Sequence, residues 1–517
     1  MADLAFGPTS FLLEIKNKAN LFTIISGFVV VGTIAYYAIL QYRREPLPPG
    51  PKGRYPLLGM TFDVPKHHLW ERVREWIYGP SAIYSHRPPS VAGEFLSHGL
   101  RLVLMPYGVR WRRSRKAFAQ ILNSTRCNGY NWIMQDEALV ALKEIKDNPE
   151  LFRENIYRYT LSVTRSIAYG RRVMRYNDEL MVSLARVAEN FVTAMAPGKW
   201  IVESMPWMLR LPRFMQPWLP IFEKFRQFED NFSLGNYRET LATLDKHPDR
   251  ATVVRDLKEN ASSYEEDSEL HSAVVCTEIL STGTETTYNS LLVTIMALVH
   301  HPEVLKKAHE ELDRVIGQKR FPTWEDEPNL PYIRAIIKEQ QRWRSIAPLA
   351  FSHYTNQEDI LNGYRIPKNT VVRINTWGIH RDSERYPDPD QFRPERFLDH
   401  SLSASAYANS GDVAARDHFS YSGGKRICPG IHLAERSLFA MTSRMLHTFD
   451  ILPALDEKNN PVMPDIDAIT DQLIAAPMPY RARFKVRSEA MERLLLKEWS
   501  EKLHEGKLDS WYDKESS

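Results

Sequence analysis

The strongest patterns along the chain are apolar. Leu21 to Leu40, LFTIISGFVVVGTIAYYAIL, runs without a charge for long enough to cross a bilayer as one helix. His271 to Val299 predicts a second long apolar helix, interrupted midway by Thr282-Gly-Thr-Glu-Thr-Thr. Polar groups there need a reason, either hydroxyls bonding back to the helix or a chemical task. After Pro429 and Gly430 the run IHLAERSLFAMTSRML predicts a further helix. Tyr107 to Phe118, YGVRWRRSRKAF, reads as a helix start with Trp111 and Arg115 on one face. From about 130 to 260 the periodicity is helical, and PWMLRLPRFMQPWLPIFEKF is readable as core, roof over a substrate or membrane contact. IAPLAFSHY and ILNGYRIPKNTVVRINTW read as extended strands with a turn at Asn362-Gly363. Near the end Met491, Leu495, Trp499 and Leu503 form one stripe, expected to pack on its own body, with a partner-binding helix as the alternative.

The 21–40 run lies inside the N-terminus and lacks a small-residue cleavage site, which favours an uncleaved anchor over a signal peptide; a buried core helix is the alternative. Lys16 and Lys18 precede it, while Arg43, Arg44, Lys52 and Arg54 follow, placing the body in the cytosol. Pro46, Pro48, Pro49 and Pro51 then forbid a helix and favour a stiff extended linker. The expected organisation is a lumenal tail at 1–20, an anchor at 21–41, a hinge at 42–56, one large domain at 57–487 and a charged helical tail at 488–517.

Composition adds exclusions. The 517 residues contain no internal repeat or low-complexity run, and a net charge of +3 gives no global argument for nucleic acid. Cys127, Cys276 and Cys428 are the only cysteines, with no CxxC, against a disulfide framework or structural zinc. Asn123, Asn231 and Asn260 fit the glycosylation pattern, which a cytosolic body would leave unmodified. His300 and His301 sit at a helix boundary without metal-ligand spacing and read as structural. Arg112, Arg113 and Lys116 are either a solvated helix surface or a docking face for an acidic electron donor.

Cys428 stands in YSGGKRICPG, where glycines allow a tight turn and a helix follows at once. Backbone N–H groups, Lys425 and Arg426 predict a lowered thiol pKa. Such a cysteine is a buried structural thiol or a metal ligand. The string resembles the haem-ligand loop of the cytochrome P450 family, Phe-x-x-Gly-x-Arg-x-Cys-x-Gly, at Gly424, Arg426, Cys428 and Gly430, with Tyr421 in place of Phe. Further motifs agree in the family's order: the proline-rich hinge, Trp111-x-x-x-Arg115, Thr282 to Thr287 for Ala-Gly-x-(Asp/Glu)-Thr-Thr, and Glu339-x-x-Arg342 with FRPERF at 392–397.

The resemblance implies a mainly α fold with small β-sheets, preceded by one transmembrane helix. It implies haem b with Cys428 as axial ligand, and Trp111, Arg115, His353 and Arg426 on the propionates; an ordinary strand histidine is the alternative for His353. Gly283 would give dioxygen room, Glu285 and Thr286 would deliver protons, and Glu339, Arg342 and Arg396 would form a buried triad bracing the cysteine loop. Pro348, Leu349, Ala350 and Phe351 would line the substrate pocket. The implied reaction inserts one oxygen atom from O2 into an apolar small molecule. Electrons would come from a separate NADPH–cytochrome P450 reductase on the endoplasmic reticulum membrane, since no GxGxxG element is visible. GGKRICPGIHLAERSLF looks most like fungal members that decorate polyketides, terpenoids or small phenols. The alternatives are a reductase-independent isomerase or dehydratase, which the intact Glu285-Thr286 pair argues against, and a haem-binding sensor, which would need no proton relay.

Overall fold

The computed structural model describes residues 31–32, 36, 82–176, 179–196, 198–246, 252–260, 268–361, 363–410, 412 and 414–505. The expected lumenal tail and hinge, and all of the anchor but Val31, Gly32 and Tyr36, lie outside them. Among the described residues no helix is long and apolar enough to cross a membrane.

Two compact units are distinguished, one of residues 64–354 and 371–517, the other of 1–63 and 355–370. Among its described residues the larger holds ten long helices: α1 Val109–Ile121, α2 Asn131–Asp147, α3 Phe152–Tyr169, α4 Glu179–Ala194, α5 Leu219–Thr243, α6 Glu269–His300, α7 Pro302–Val315, α8 Pro331–Trp343, α9 Ile431–Thr448 and α10 Glu489–His504. Helix α6 runs through the core, capped by the Ser268 hydroxyl accepting from the His271 N–H. It is apolar on nearly every side, so α3, α5, α8 and α9 all pack on it. Its mid-helix hydroxyls bond back to the backbone, Thr282 to Glu278 O at 2.6 Å, Thr284 to Leu280 O at 2.7 Å and Thr286 to Thr282 O at 2.7 Å. That is the plainer of the two roles foreseen for them.

Helix α3 lies antiparallel along one side of α6 through a polar seam. Tyr169 reaches Thr277 at 3.3 Å, Thr164 meets Thr284 at 2.8 Å, and the Tyr157 hydroxyl donates to Glu285 at 2.8 Å. A methyl added at Gly283 would stand 2.7 Å from Thr164 Cγ2. The missing side chain at 283 therefore serves close packing of α3 on α6.

Helix α9 passes directly into β5 Phe449–Leu455, which pairs antiparallel with β7 Ala482–Val486, from Phe449↔Val486 to Pro453↔Ala482, and with β6 Pro461–Val462 on its other edge. Helix α10 buries Met491, Leu494 and Leu495 and packs on α2, helped by Lys502 on Asp136 at 2.8 Å and Lys146 on Glu492 at 3.0 Å. The first half of the C-terminal stripe, Met491 and Leu495, thus packs on its own body, while Trp499 is half-buried and Leu503 exposed; residues 506–517 lie outside the described residues.

The strand expected across 346–354 shrinks to β1 His353–Tyr354, paired antiparallel with β4 Val371–Val372. Pro348 brings no N–H, and the carbonyls of Phe351 and Ser352 are taken by the Arg87 guanidinium at 3.0 and 2.8 Å, so the segment turns instead of laddering. In the smaller unit, β2 Asp359–Leu361 and β3 Tyr364–Ile366 form the expected hairpin, with Gly363 at φ +78° in its turn.

The Gly283 contact predicts a coupled pair. Gly283→Ala should cost about 1–2 kcal/mol more in the native background than in Thr164→Ser, which removes the clashing methyl and keeps the hydroxyl. A double-mutant cycle in urea checks it, and equal costs in both backgrounds would contradict the packing account.

Candidate functional site

The cysteine loop is shaped by backbone conformations that few residues adopt. Ser422 and Gly424 both have φ +59°, and the Cys428 N–H donates to Tyr421 O at 3.0 Å, closing the turn. Gly430 then caps α9, with its N–H directed at the Cys428 sulfur. The thiol is partly buried and free. Burial pushes its pKa up, opposed by the Gly430 N–H and by Arg115. The expected lowering by Lys425 and Arg426 is therefore overturned, because Lys425 is exposed against the Tyr107 ring and Arg426 turns away to carbonyls. Cys127 and Cys276 are fully buried; burial pushes the Cys127 thiol up to about 11 and that of Cys276 higher still.

Three guanidinium groups and one imidazole from distant parts of the chain gather beside this loop. Arg426 donates to Ser85 O and Met105 O, each at 2.7 Å, and lies 4.4 Å over the Trp111 ring. Arg115, one turn beyond Trp111 on α1, acts on Cys428 across space. Arg87 holds the Val103 carbonyl at 2.9 Å. His353 Nδ1 donates to Tyr84 O at 2.8 Å, so its N–H is committed there and the buried Nε2 is left without a partner. Burial and mutual repulsion pull the pKa of Arg426 down to about 8, of Arg87 to about 10 through burial, and of His353 to about 3 through burial, Arg87 and Arg426. None of the four makes an ion pair with a described residue. A buried cation without a counter-ion is costly, so the three guanidinium groups call for an anion that the described residues do not provide there.

The structure thus brings Trp111, Arg115, His353, Arg426 and Cys428 into one neighbourhood. Arg87 was missed by sequence reasoning; it sits in SHRPPS, which carries no motif. A thiol at a helix start, with cations grouped to one side of it, fits a metal-bearing planar group with acidic edges, which is the chemistry of a haem.

On α6, Thr282 is exposed and Thr286 partly so, one turn apart on a shared strip, whereas Thr287 is buried. Glu285 points elsewhere, accepting the Tyr157 hydroxyl from α3, and burial raises its pKa. Of the four residues expected to line a substrate pocket, Leu349 is 43% exposed, Ala350 has φ +46°, and Phe351 lies 5.9 Å from the Arg87 guanidinium carbon.

The triad is assembled. Arg342 forks onto Glu339 at 2.7 Å through both Nε and Nη2, with both side chains at 0% exposure, and Arg396 Nε reaches Glu339 at 3.3 Å. The Arg393 N–H adds a further bond at 2.8 Å.

A family model described as cytochrome P450 matches residues 80–479. The chain belongs to the cytochrome P450 family. It is 31% identical to the cytochrome P450 monooxygenase verL of Clonostachys rogersoniana, over 94% of this chain and 96% of that protein. It is 36% identical to the monooxygenase polD of Polytolypa hystricis, over 81% and 80%. Its fold is that of a zebra fish cytochrome P450 solved with abiraterone, at TM-score 0.66 and 22% identity, over 81% of this chain and 92% of that one. As a cytochrome P450 it is a haem-thiolate monooxygenase, an oxidoreductase that takes O2, a small-molecule substrate and electrons from a redox partner.

In this P450 the triad is a stability element. Glu339→Gln, leaving two buried guanidinium groups uncompensated, should cost about 3–5 kcal/mol. Urea denaturation checks this, and a loss below about 1 kcal/mol would mean that water reaches the pair.

Proposed function

We propose that the Cys428 thiolate would hold the iron of haem b and that Arg115, Arg426, His353 and Trp111 would hold its propionates. The observation that carries this reading is the cluster of Arg87, Arg426 and His353, all buried, with the half-buried Arg115 beside the cysteine, none with an ion-pair partner among the described residues. When bound, the haem supplies the activation of dioxygen, the thiolate pushing electron density that favours O–O cleavage. Two carboxylates would neutralise the guanidinium groups and raise the His353 imidazole from its depressed value. Thr286 holds a hydroxyl on the open strip of α6, and Glu285 stores a proton one residue away. Pro348 to Phe351 shape the substrate side, and the substrate is an apolar secondary metabolite of polyketide, terpenoid or small phenol type.

The electron donor is a membrane-bound NADPH–cytochrome P450 reductase, docking on the α1 face that carries exposed Arg112 and Lys116. The enzyme sits on the endoplasmic reticulum with its body in the cytosol, held by the 21–41 segment. Trp207, 59% exposed, and Phe214, 87% exposed, support a second membrane contact before α5.

Two experiments test the reading. Cys428→Ser should abolish the red-shifted ferrous–CO band of thiolate-bound haem, while Cys127→Ser and Cys276→Ser keep it; a retained band in Cys428→Ser overturns the ligand assignment. Thr286→Ala should keep that band and NADPH consumption but divert electrons from product to hydrogen peroxide, with Thr287→Ala doing much less. Unchanged coupling in Thr286→Ala would remove this hydroxyl from proton delivery.

A further inference from the structure

Glu285 is the carboxyl group that the apolar middle of α6 would ordinarily exclude, and one side chain answers for it. Tyr157, on the second turn of α3, donates its hydroxyl hydrogen to Glu285 Oε1 at 2.8 Å. The phenol ring is itself fixed, edge-on to Tyr288 at 5.1 Å and 89°. Below it the α3–α6 seam continues through the Thr164–Thr284 hydroxyl pair and the close approach at Gly283, so the two helices cannot slide to release the contact. Oε2 of Glu285 has no hydrogen-bond partner among the described residues. One carboxyl oxygen is therefore committed and the other is free.

We infer that Tyr157 is a positioning residue for proton delivery, because its O–H occupies Glu285 Oε1 and leaves Oε2 as the oxygen that carries the transferable proton. The chemistry follows from donor counting. A phenol has one hydrogen, and while it is spent on Oε1 the hydrogen of a neutral carboxyl is placed on Oε2. Burial keeps Glu285 in that neutral form more readily than an exposed glutamate. Without the phenol the carboxyl would be free to turn about its terminal bond and present either oxygen, and the donor would lose its fixed direction. The inference rests on Glu285 serving as the acid beside Thr286.

The test uses the full-length, haem-loaded enzyme with its reductase and reads the infrared carbonyl stretch of neutral Glu285, identified by its disappearance in Glu285→Gln. Tyr157→Phe keeps the ring and its packing and removes only the donor. The carbonyl band should move to higher frequency, the ferrous–CO band should stay, and product formed per NADPH should fall several-fold with peroxide rising in step. Fluorotyrosine at position 157, a stronger donor of the same shape, should move the band the opposite way. An unmoved carbonyl band in these proteins overturns the inference, as does a moved band with unchanged coupling. If Glu285→Gln itself leaves coupling intact, the acid assignment beneath the inference fails; if Glu285→Gln uncouples and Tyr157→Phe does not, only the role of Tyr157 fails.

Discussion

An ion pair sealed from water has to find every one of its hydrogen bonds inside the protein, and that demand on Glu339 and Arg342 organises the chain around the cysteine. Arg342 fills all five N–H positions: two on Glu339, then the carbonyls of His380, Pro389 and Gln391. Glu339 in return takes the Arg393 N–H and the Arg396 guanidinium, whose other nitrogens hold the carbonyls of Pro387 and Asp388. The segment from 380 to 396 is irregular, yet its path is dictated by two side chains on α8. His380 passes the constraint on, its Nε2 accepting the Phe419 N–H at 2.9 Å just before the cysteine loop begins. Misplacing either charge would leave several buried carbonyls unpaired at once, so the triad couples stability to the position of Cys428.

A second set of bonds fixes the loop against α6. Arg426 and Arg87 hold carbonyls of residues 102, 103 and 105, while the N–H groups of Leu102 and Val103 donate to the buried Glu278 carboxyl on α6 at 3.0 and 3.2 Å. Arg101, next along, pairs with Glu229 of α5 at 2.8 Å and lies over Phe191 of α4. A short stretch without regular structure is thereby tied to the cysteine loop on its carbonyl side and to three helices on its other side. Backbone groups that would be orphaned in a loop are satisfied by charged side chains, which is what lets a loop be buried at all.

Periodicity carried the long helices well. The apolar run of α6, the Trp111–Arg115 face of α1, the helix after Gly430 and the stripe of α10 were each legible, because each is decided by local pattern and burial on one or more faces. The hairpin turn at Gly363 was legible for the same local reason. What could not be read was set by partners far away in sequence. The turn at 348–352 depends on Arg87, some 260 residues earlier, taking its carbonyls. The purpose of Gly283 depends on Thr164, and the direction of Glu285 on Tyr157. The sign of the Cys428 shift turned on the balance between burial and a cation from α1, and no count of nearby basic residues in the loop could have supplied it.

The hydroxyls of α6 show why an acid is wanted beside them. Thr282 and Thr286 both spend their only hydrogen on backbone carbonyls, at 2.6 and 2.7 Å, so toward the open strip they offer lone pairs alone. A water on that strip finds acceptors in both threonines, and a proton can pass outward through Thr286 only if another donor resupplies it. Glu285, whose pKa burial raises, is where the proposed reading places that donor, one residue from Thr286 and about 100° around the axis. An ionised glutamate there would add a third acceptor and stall the chain of hydrogen bonds. The same burial that makes a carboxyl costly in the middle of an apolar helix is what shifts Glu285 toward its protonated form, and the polar seam with α3 is what makes that burial tolerable.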